Sequence, residues 1–251
     1  MNYFRESWNR ILSMLLATVL GGATIILALG SAEAAYQETT VNNGGTITGV
    51  VTFKGTPPAP QPIKVNKDKK VCGKTKLFSN AVLVNKNKGL QNAVVRLTDI
   101  TKGKTRKIET ITLDQKGCRF HPHVLIVPTG GMVSVVNDDP LTHNIHTFSF
   151  ENPQLNQAQP KGSPALTIKT TASETMKVQC DIHKWMGGWV VIAEHPYYAL
   201  TDTNGKFTLS NVPPGTYTLE VWHESLGIAT RSVTVKGKKS VKMSVALPKK
   251  D

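Results

Sequence analysis

The strongest constraint on the fold is a series of short β-strand patterns that starts at Gly45 and continues through the rest of the chain. Runs rich in Val, Ile and Thr alternate with Gly, Pro and Asn, the residues that favour tight turns. After the N-terminal segment, no stretch has the apolar spacing of an amphipathic helix. The chain has 251 residues, enough for one large or two small hydrophobic cores. The pattern therefore predicts an all-β protein.

The N-terminal segment has the composition of a secretory signal. Arg5 and Arg10 precede an uncharged stretch over residues 11–30, and a small-residue cleavage pattern ends at Ala34. We expect a signal peptide over residues 1–34. The alternative is an uncleaved N-terminal anchor, because the uncharged stretch is about as long as a bilayer-spanning helix. Either interpretation places the remainder in the periplasmic or extracellular space, where disulfides can form.

Charge divides the chain into three parts. The whole chain carries 30 Lys and Arg against 17 Asp and Glu. Residues 35–106 have a net charge of +10, residues 107–195 of −1 and residues 196–251 of +4, so we interpret the middle third as a separate unit. No glycine-rich phosphate loop follows a predicted strand, which disfavours nucleotide-dependent enzymes. The Lys runs lack interleaved aromatic residues, so we expect no nucleic acid partner.

Two tight-turn motifs lie between predicted strands of the C-terminal third. Asn204 and Gly205 form one turn, and Pro214 and Gly215 form the other. These turns, the strands beside them and the strand patterns of the N-terminal third resemble the transthyretin-like, carboxypeptidase-regulatory-like β-sandwich. In that family, turns of these types connect consecutive strands.

The resemblance implies a particular domain organisation. Residues 36–106 and 196–251 would form one discontinuous sandwich, into which residues 107–195 are inserted. The alternative is two separate sandwiches in series, with the first of these segments as a prefix. Within the inserted unit, the polar stretch over residues 149–164 is interpreted as a loop without regular structure.

Four side chains with metal-binding chemistry follow two predicted strands of the middle third. Cys180, His183 and Met186 stand at three-residue steps after one strand, so a single short loop can wrap one ion. His143 lies at the end of another strand and supplies a second imidazole. A thiolate and a thioether suit Cu(I), two imidazoles also accommodate Cu(II), and Met is an unusual ligand for structural zinc. The set therefore indicates copper and one-electron transfer.

The middle third, over residues 109–195, resembles the small cupredoxins of the plastocyanin, pseudoazurin and amicyanin type, and its compact C-x-x-H-x-x-M loop is most similar to amicyanin. The resemblance implies a Greek-key β-sandwich with one mononuclear type 1 (blue) copper ion. The implied ligands are His143, Cys180, His183 and Met186. It also implies that the Asn144 side chain ties the two ligand loops together and that the backbone N–H of residue 144 donates to the Cys180 sulfur.

The same resemblance implies how electrons would reach the ion. In cupredoxins the C-terminal His ligand, here His183, is an exposed electron port surrounded by a docking patch, to which Lys184 and Trp185 would belong. Weak, short-lived contact suits an electron carrier. We therefore expect a carrier and not an enzyme, because Met186 would occupy the position that a copper enzyme keeps open.

The cysteine count fits this interpretation. The chain has three Cys. If Cys180 binds copper, Cys72 and Cys118 remain as a pair, and we expect a disulfide between them that joins the basic flank to the inserted unit. The alternative is a second metal site formed by Cys118 with His121 and His123.

The basic flanks indicate the kind of partner. Outside the cytoplasm, a positive surface would attract an acidic redox protein, such as a c-type cytochrome, or an anionic envelope surface, and a solubilising role is the plain alternative. Two other functions stay open at this point. One is a copper chaperone or storage protein that passes on Cu(I), and the other is a structural or carbohydrate-binding envelope module.

Overall fold

The structure, a computed structural model, describes residues 36–249 and consists almost wholly of strands and turns. The prediction of an all-β protein is confirmed. The helix of this described part, α1 (Lys69–Cys72), spans a single turn, and no described helix is long and apolar enough to cross a membrane. The predicted signal segment, residues 1–34, lies outside the described residues.

The strands are numbered in chain order. They are β1 (Gln37–Glu38), β2 (Gly45–Lys54), β3 (Val94–Leu97), β4 (Lys102–Gly103), β5 (Thr110–Gln115), β6 (Phe120–His121), β7 (Val124–Pro128), β8 (Met132–Asn137), β9 (His143–Phe148), β10 (Asn156–Gln159), β11 (Leu166–Lys169), β12 (Glu174–Gln179), β13 (Gly187–Ala193), β14 (Tyr198–Leu200), β15 (Lys206–Val212), β16 (Gly215–His223), β17 (Gly227–Val235) and β18 (Ser240–Pro248).

Strands β5 to β13 form one β-sandwich, named here the inner sandwich. One of its sheets has the order β10-β9-β12-β13-β7, and the other has the order β11-β8-β5-β6. Side chains alternate between the core and solvent along each strand. In β12, for example, Met176 and Val178 are buried while Lys177 is exposed. The two buried faces enclose a core that also contains Cys180 and Met186.

Strands β2, β3 and β14 to β18 form a second β-sandwich, named here the outer sandwich. Its sheets have the orders β14-β3-β16-β17 and β15-β2-β18. Strands β2 and β3 precede the inner sandwich in the sequence, whereas β14 to β18 follow it, so each outer sheet contains strands from both sides of the inserted unit. The core between these sheets includes Ile47, Val51, Phe207, Leu219 and Val245.

The two sandwiches share a small apolar cluster. Val94 of the outer sandwich is buried together with Val124 and Val191 of the inner sandwich. The indole rings of Trp189 and Trp222 meet edge to face with 5.3 Å between their centroids. The inner sandwich is therefore fixed to the outer one by packed side chains as well as by its two chain connections.

The polar stretch over residues 149–164 is more ordered than expected. It contains β10, which pairs antiparallel with β9 at the edge of a sheet, with Asn156 opposite His146. Edge pairing uses backbone hydrogen bonds and needs little apolar patterning. A polar sequence therefore gave no signal for this strand.

A loop from the N-terminal side of the outer sandwich lies on the inner sandwich. Residues 63–77, named here the covering loop, are closed at the base by a hydrogen bond from the backbone N–H of Ile63 to the carbonyl oxygen of Leu77 at 2.9 Å. Its half-buried Val65 and Val71 pack against the inner core. The loop is therefore a packed element of the inner sandwich surface, in the manner of an Ω-loop.

Two buried histidines make the stability of the outer sandwich depend on pH. Burial lowers the pKa of His195 and of His223 to about 4. The unfolded chain returns both side chains to water, where a histidine titrates at about 6.5, so below that pH the unfolded state binds more protons than the folded state. The fold therefore has its full stability above this pH and loses stability as the pH falls toward 4.

We predict that protonation linkage at each of these histidines lowers the unfolding free energy by about 3 kcal/mol as the pH falls from about 7 to about 4. In His195→Gln the side-chain amide can still donate to the Leu97 carbonyl oxygen, as Nε2 of His195 does at 2.8 Å, but it does not titrate. Denaturant titrations across this pH range should therefore show a smaller acid destabilisation in the variant than in the wild type. Identical pH slopes would contradict the assignment.

Candidate metal centre

Strand ends bring the predicted ligands to one end of the inner sandwich. His143 is the first residue of β9, and Cys180 follows the last residue of β12, the antiparallel neighbour of β9. Antiparallel pairing places the start of one strand near the end of the other. From Cys180 the chain turns back into β13, and the backbone N–H of Cys180 donates to the carbonyl oxygen of Met186 at 3.1 Å. Cys180, His183 and Met186 thus share one closed turn.

Three donor atoms converge in a space without solvent. Nδ1 of His143 and Nδ1 of His183 are 3.0 Å apart, and the Cys180 sulfur is 3.8 Å from Nδ1 of His183. These atoms all lie within 4.8 Å of one another, and the three side chains have 0% exposure. Met186 is buried in the same core as Cys180. The structure therefore brings three of the four predicted ligands together and buries the fourth in the surrounding core.

The outer nitrogen of each imidazole contacts a carboxylate. Nε2 of His143 is 2.8 Å from Oδ2 of Asp139, and Nε2 of His183 is 2.9 Å from Oδ2 of Asp68. An ionised carboxylate only accepts hydrogen bonds, so each Nε2 carries the proton and each Nδ1 presents a lone pair to the centre. Two lone pairs and a sulfur that face one another form a site that can hold a cation. This donor set fits copper, with its imidazoles oriented by carboxylates as in other metal sites.

Asp139 is the carboxylate that orients His143. It also accepts hydrogen bonds from the backbone N–H groups of Gly117 at 2.8 Å and Cys118 at 2.7 Å. Burial alone would raise the pKa of Asp139, but the hydrogen bonds from His143 and the two backbone groups outweigh it, and the pKa lies below its ordinary value. Burial is also the main reason why the pKa of His143 is lowered. A charged carboxylate beside a neutral imidazole is the state that a metal ligand requires.

The structure corrects the expectation of an exposed electron port. His183 has 0% exposure because Asp68 of the covering loop lies over its outer nitrogen. The Trp185 ring packs edge-on against the imidazole, with 5.1 Å between the ring centroids. The place where a cupredoxin exposes this imidazole is therefore occupied here by a loop from the outer sandwich.

The two expected docking residues lie in different environments. Lys184 is exposed, whereas Trp185 is half-buried and its indole N–H donates to the carbonyl oxygen of Cys118 at 3.2 Å. Trp185 thus connects the imidazole of His183 to the chain beside the disulfide. That these two residues form a docking patch stays a prediction.

Asn144 links the two ligand-bearing segments. Its Oδ1 accepts a hydrogen bond from the backbone N–H of Asp181 at 2.8 Å, next to Cys180, and its Nδ2 donates to Asn156 at 2.6 Å. The Cys180 sulfur accepts a hydrogen bond from the backbone N–H of His183 at 3.4 Å. The hydrogen bonds between described residues include none from the N–H of residue 144 to this sulfur, so that contact stays a prediction.

Cys72 and Cys118 are joined by a disulfide with 5.4 Å between their Cα atoms, as expected for the two cysteines left beside Cys180. The bond removes the sulfur that a second metal site with His121 and His123 would use. Those two imidazoles also have different neighbours: His121 contacts the carbonyl oxygen of Lys116, whereas His123 contacts the carbonyl oxygen of Gly187 and the carboxylate of Glu224. Within the described residues, the alternative second site is therefore not assembled.

Sequence reasoning misses the two carboxylates that hold the imidazoles. Asp139 precedes His143 by four positions in a turn-forming run, and this proximity could have identified it. No local signal identifies Asp68, which is 115 positions away from His183 in the sequence. The only indication is its position four residues before Cys72, which the disulfide ties to the inner sandwich.

Comparisons with known proteins find similarity in both parts of the chain. Residues 186–248 match the carboxypeptidase regulatory-like domain. A variant of amicyanin in its reduced Cu(I) form is 25% identical over 34% of this chain and 82% of that chain, with a TM-score of 0.30. A copper-containing nitrite reductase from Thermus scotoductus is 24% identical over 37% of this chain and 24% of that chain, with a TM-score of 0.30. No curated protein matches the chain.

The inner sandwich combines two packed β-sheets with a buried His–Cys–His cluster, and the two solved structures named above, to which the chain is similar, are copper proteins. The carboxypeptidase regulatory-like family, whose fold is the transthyretin-like sandwich, matches residues 186–248, and these include β14 to β18 of the outer sandwich. The resemblance to both families that the sequence indicated is confirmed.

Replacing Asp139 with Asn should weaken copper binding by about tenfold to a hundredfold, because the variant loses the charged acceptor that orients His143. The affinity can be measured by competition with a chelator of known strength. Asp138→Asn is the matched control, because Asp138 is the exposed neighbour of Asp139 and its carboxylate pairs with Lys116 at the surface, not with His143. Equal affinities in the two variants would contradict the role of Asp139.

Replacing both Cys72 and Cys118 with Ser should lower the free energy of unfolding by about 2 to 4 kcal/mol, because the disulfide constrains the unfolded chain. Denaturant titration measures this loss. The covering loop also loses its covalent anchor, so His183 of the copper-free protein should react faster with diethyl pyrocarbonate, measured by peptide mass spectrometry. His146 serves as the internal reference, and unchanged labelling of His183 would show that the loop stays in place without the bond.

Proposed function

We propose that this protein is an exported type 1 copper protein that carries single electrons between redox partners. The observation that supports this most is the convergence of Nδ1 of His143, Nδ1 of His183 and the Cys180 sulfur within 4.8 Å in a fully buried space. In this proposal these three atoms would hold one copper ion, and Met186 would contribute its thioether as a fourth, weaker ligand.

Copper bound there would supply the Cu(II)/Cu(I) redox couple, which gains and loses one electron without a proton. The residues of the chain keep the donors in place while the charge of the site changes. The closed turn between Cys180 and Met186 and the bond from Asp181 to Asn144 fix the two ligand segments to each other. A donor set that moves little between the two oxidation states allows fast electron exchange.

Burial argues for a carrier and against an enzyme. A copper enzyme keeps a coordination position open to its substrate. Here the three converging side chains have 0% exposure, and the covering loop places Asp68 over His183. In the proposal, Met186 takes the remaining position. A substrate would have no route to the ion.

A copper chaperone or storage protein is the second candidate, because the same soft donors suit Cu(I). A protein that hands over an ion needs ligands that its partner can reach. His183 is buried under a loop that the Cys72–Cys118 bond holds in place. This burial favours a permanently bound ion over one that is passed to a partner. The third candidate, a structural or carbohydrate-binding envelope module, leaves the buried donor cluster without a role.

The disulfide and the net charge support a compartment and a class of partner. A disulfide persists in oxidising spaces such as the periplasm or the extracellular medium. The net charge of +13 lies mainly in the flanks of the inner sandwich, which favours an acidic redox partner such as a c-type cytochrome. The protein would then meet its partners outside the cytoplasm.

Optical and EPR spectra of the purified, copper-loaded protein test this function. We expect the strong visible absorbance band of a blue Cu(II)–thiolate site, which disappears reversibly on one-electron reduction. Cys180→Ser should abolish the band. His146→Gln is the matched control and should keep it, because the His146 imidazole contacts Asp181 at 3.0 Å and does not face the cluster.

The other outcomes separate the candidates. A colourless protein that binds only Cu(I) would favour the chaperone or storage function. A Cys180→Ser variant that keeps the band would contradict the proposed ligand set.

A further inference from the structure

His183 does not reach the surface by itself. Its outer nitrogen is 2.9 Å from Oδ2 of Asp68, whose side chain is 43% exposed. The shortest hydrogen-bonded connection from this imidazole to solvent therefore runs through a carboxylate of the covering loop. Any redox partner that approaches this end of the inner sandwich meets the loop before it meets a metal ligand.

The backbone at Asp68 directs its side chain toward the imidazole. Asp68 is the N-cap residue of α1, a position at which Asp normally bonds the first N–H groups of the helix. Here its φ and ψ are 48° and 40°, the left-handed region that non-glycine residues rarely adopt, and its side chain makes no capping bond. The Asp68 carboxylate therefore bonds to His183 and not to the N–H groups of its own helix.

Positive charge surrounds this carboxylate. Asp68 is the one acidic residue of the covering loop, which also carries six exposed lysines. They are Lys64, Lys67, Lys69, Lys70, Lys74 and Lys76. Beside the loop lies an open depression of about 400 Å³, lined by Asn66, Lys67, Ile182 and Lys184. The surface above His183 is therefore a cationic face with a shallow depression at its edge.

We propose that the covering loop is the docking surface on which an acidic redox protein exchanges one electron with the copper site. This inference rests on the proposed function and names the partner class and its place of contact. In the exchange, the partner loses one electron and the site gains it, or the reverse, and no proton or atom is transferred. The lysines attract the partner, and Asp68 connects its contact surface to His183.

An acidic protein fits this face better than a lipid surface does. Binding to a membrane interface combines basic residues with exposed apolar or aromatic side chains. The apolar residues of the covering loop point toward the protein instead, with Val65 and Val71 half-buried against the inner core and Leu77 buried. Within residues 63–77 the exposed side chains are therefore polar or charged and not apolar, as expected for short-lived electrostatic docking.

A pair of charge-reversal variants tests the proposal. The loop variant is Lys67→Glu with Lys69→Glu and Lys70→Glu. The matched control reverses three exposed lysines at the turn between β17 and β18, namely Lys236→Glu with Lys238→Glu and Lys239→Glu. Both variants lower the net charge of the chain equally, so a general charge effect is the same in each.

Stopped-flow kinetics use a reduced, acidic [2Fe–2S] ferredoxin as the electron donor to the copper-loaded protein. At low ionic strength, the loop variant should react about tenfold or more slowly than the wild type, and the control about twofold or less. The difference between the variants should disappear at high salt, where the charges are screened. Equal slowing of both variants would overturn the proposal.

A second measurement does not depend on electron transfer. Hexacyanochromate(III), a paramagnetic and redox-inert trianion, should broaden the backbone NMR signals of the covering loop in the copper-free protein, and the loop variant should lose this effect. Broadening centred on the turn between β17 and β18, or around Trp185 and Lys177, would overturn the proposal. This NMR map shows whether the covering loop binds anions, whatever the optical spectrum of the copper-loaded protein. The absence of the blue band would reject the proposed function separately.

Lipid binding is the remaining alternative outcome. Co-sedimentation with vesicles of phosphatidylglycerol and phosphatidylcholine measures it directly. Vesicle binding that the loop variant loses, together with an unchanged ferredoxin rate, would overturn the proposal in favour of a membrane surface. Weak vesicle binding that is equal in the two variants supports it.

Discussion

The two carboxylate–imidazole contacts determine what the buried cluster can do. Each carboxylate accepts a hydrogen bond from the outer nitrogen of one imidazole, so the proton stays on that nitrogen. The inner nitrogen then faces the Cys180 sulfur with a free lone pair. The carboxylates come from different parts of the molecule, since Asp139 belongs to the inner sandwich and Asp68 to a loop of the outer sandwich. The inner sandwich therefore supplies all the donor atoms, but one of its two imidazoles is oriented by a residue of the outer sandwich.

The disulfide lies between these two supports and joins them. The N–H of Cys118 donates to Asp139 at 2.7 Å, and its carbonyl oxygen accepts from Trp185, which packs on His183. Its partner Cys72 is the last residue of α1, the helix that begins after Asp68. The cross-link thus contacts the surroundings of both imidazoles. The Cys72–Cys118 disulfide, which the sequence alone suggests only as a cross-link, therefore also helps to position both imidazoles.

The sequence indicates the class of fold and the local motifs well, because both depend on short-range patterns. Alternating apolar residues predict the strands, and the spacing of Cys180, His183 and Met186 predicts one ligand loop. The exposure of His183 was predicted wrongly, because burial depends on a segment more than a hundred positions earlier in the chain. The edge strand β10 was missed for a related reason, since its pairing uses backbone atoms that every residue has. What a sequence hides here is contact between distant segments.

The last strand of the chain has a consequence for how the molecule is made. Strand β18 pairs in parallel with β2 along nine residues, from Ser240 opposite Thr46 to Pro248 opposite Lys54. Until β18 has been synthesised and delivered, β2 keeps an unpaired edge, while the contiguous strands of the inner sandwich can already assemble. A nascent chain would thus complete its inner sandwich first and its outer sandwich last. A product that is arrested or clipped before β18 would retain the inner sandwich beside an outer sandwich with an open, aggregation-prone edge.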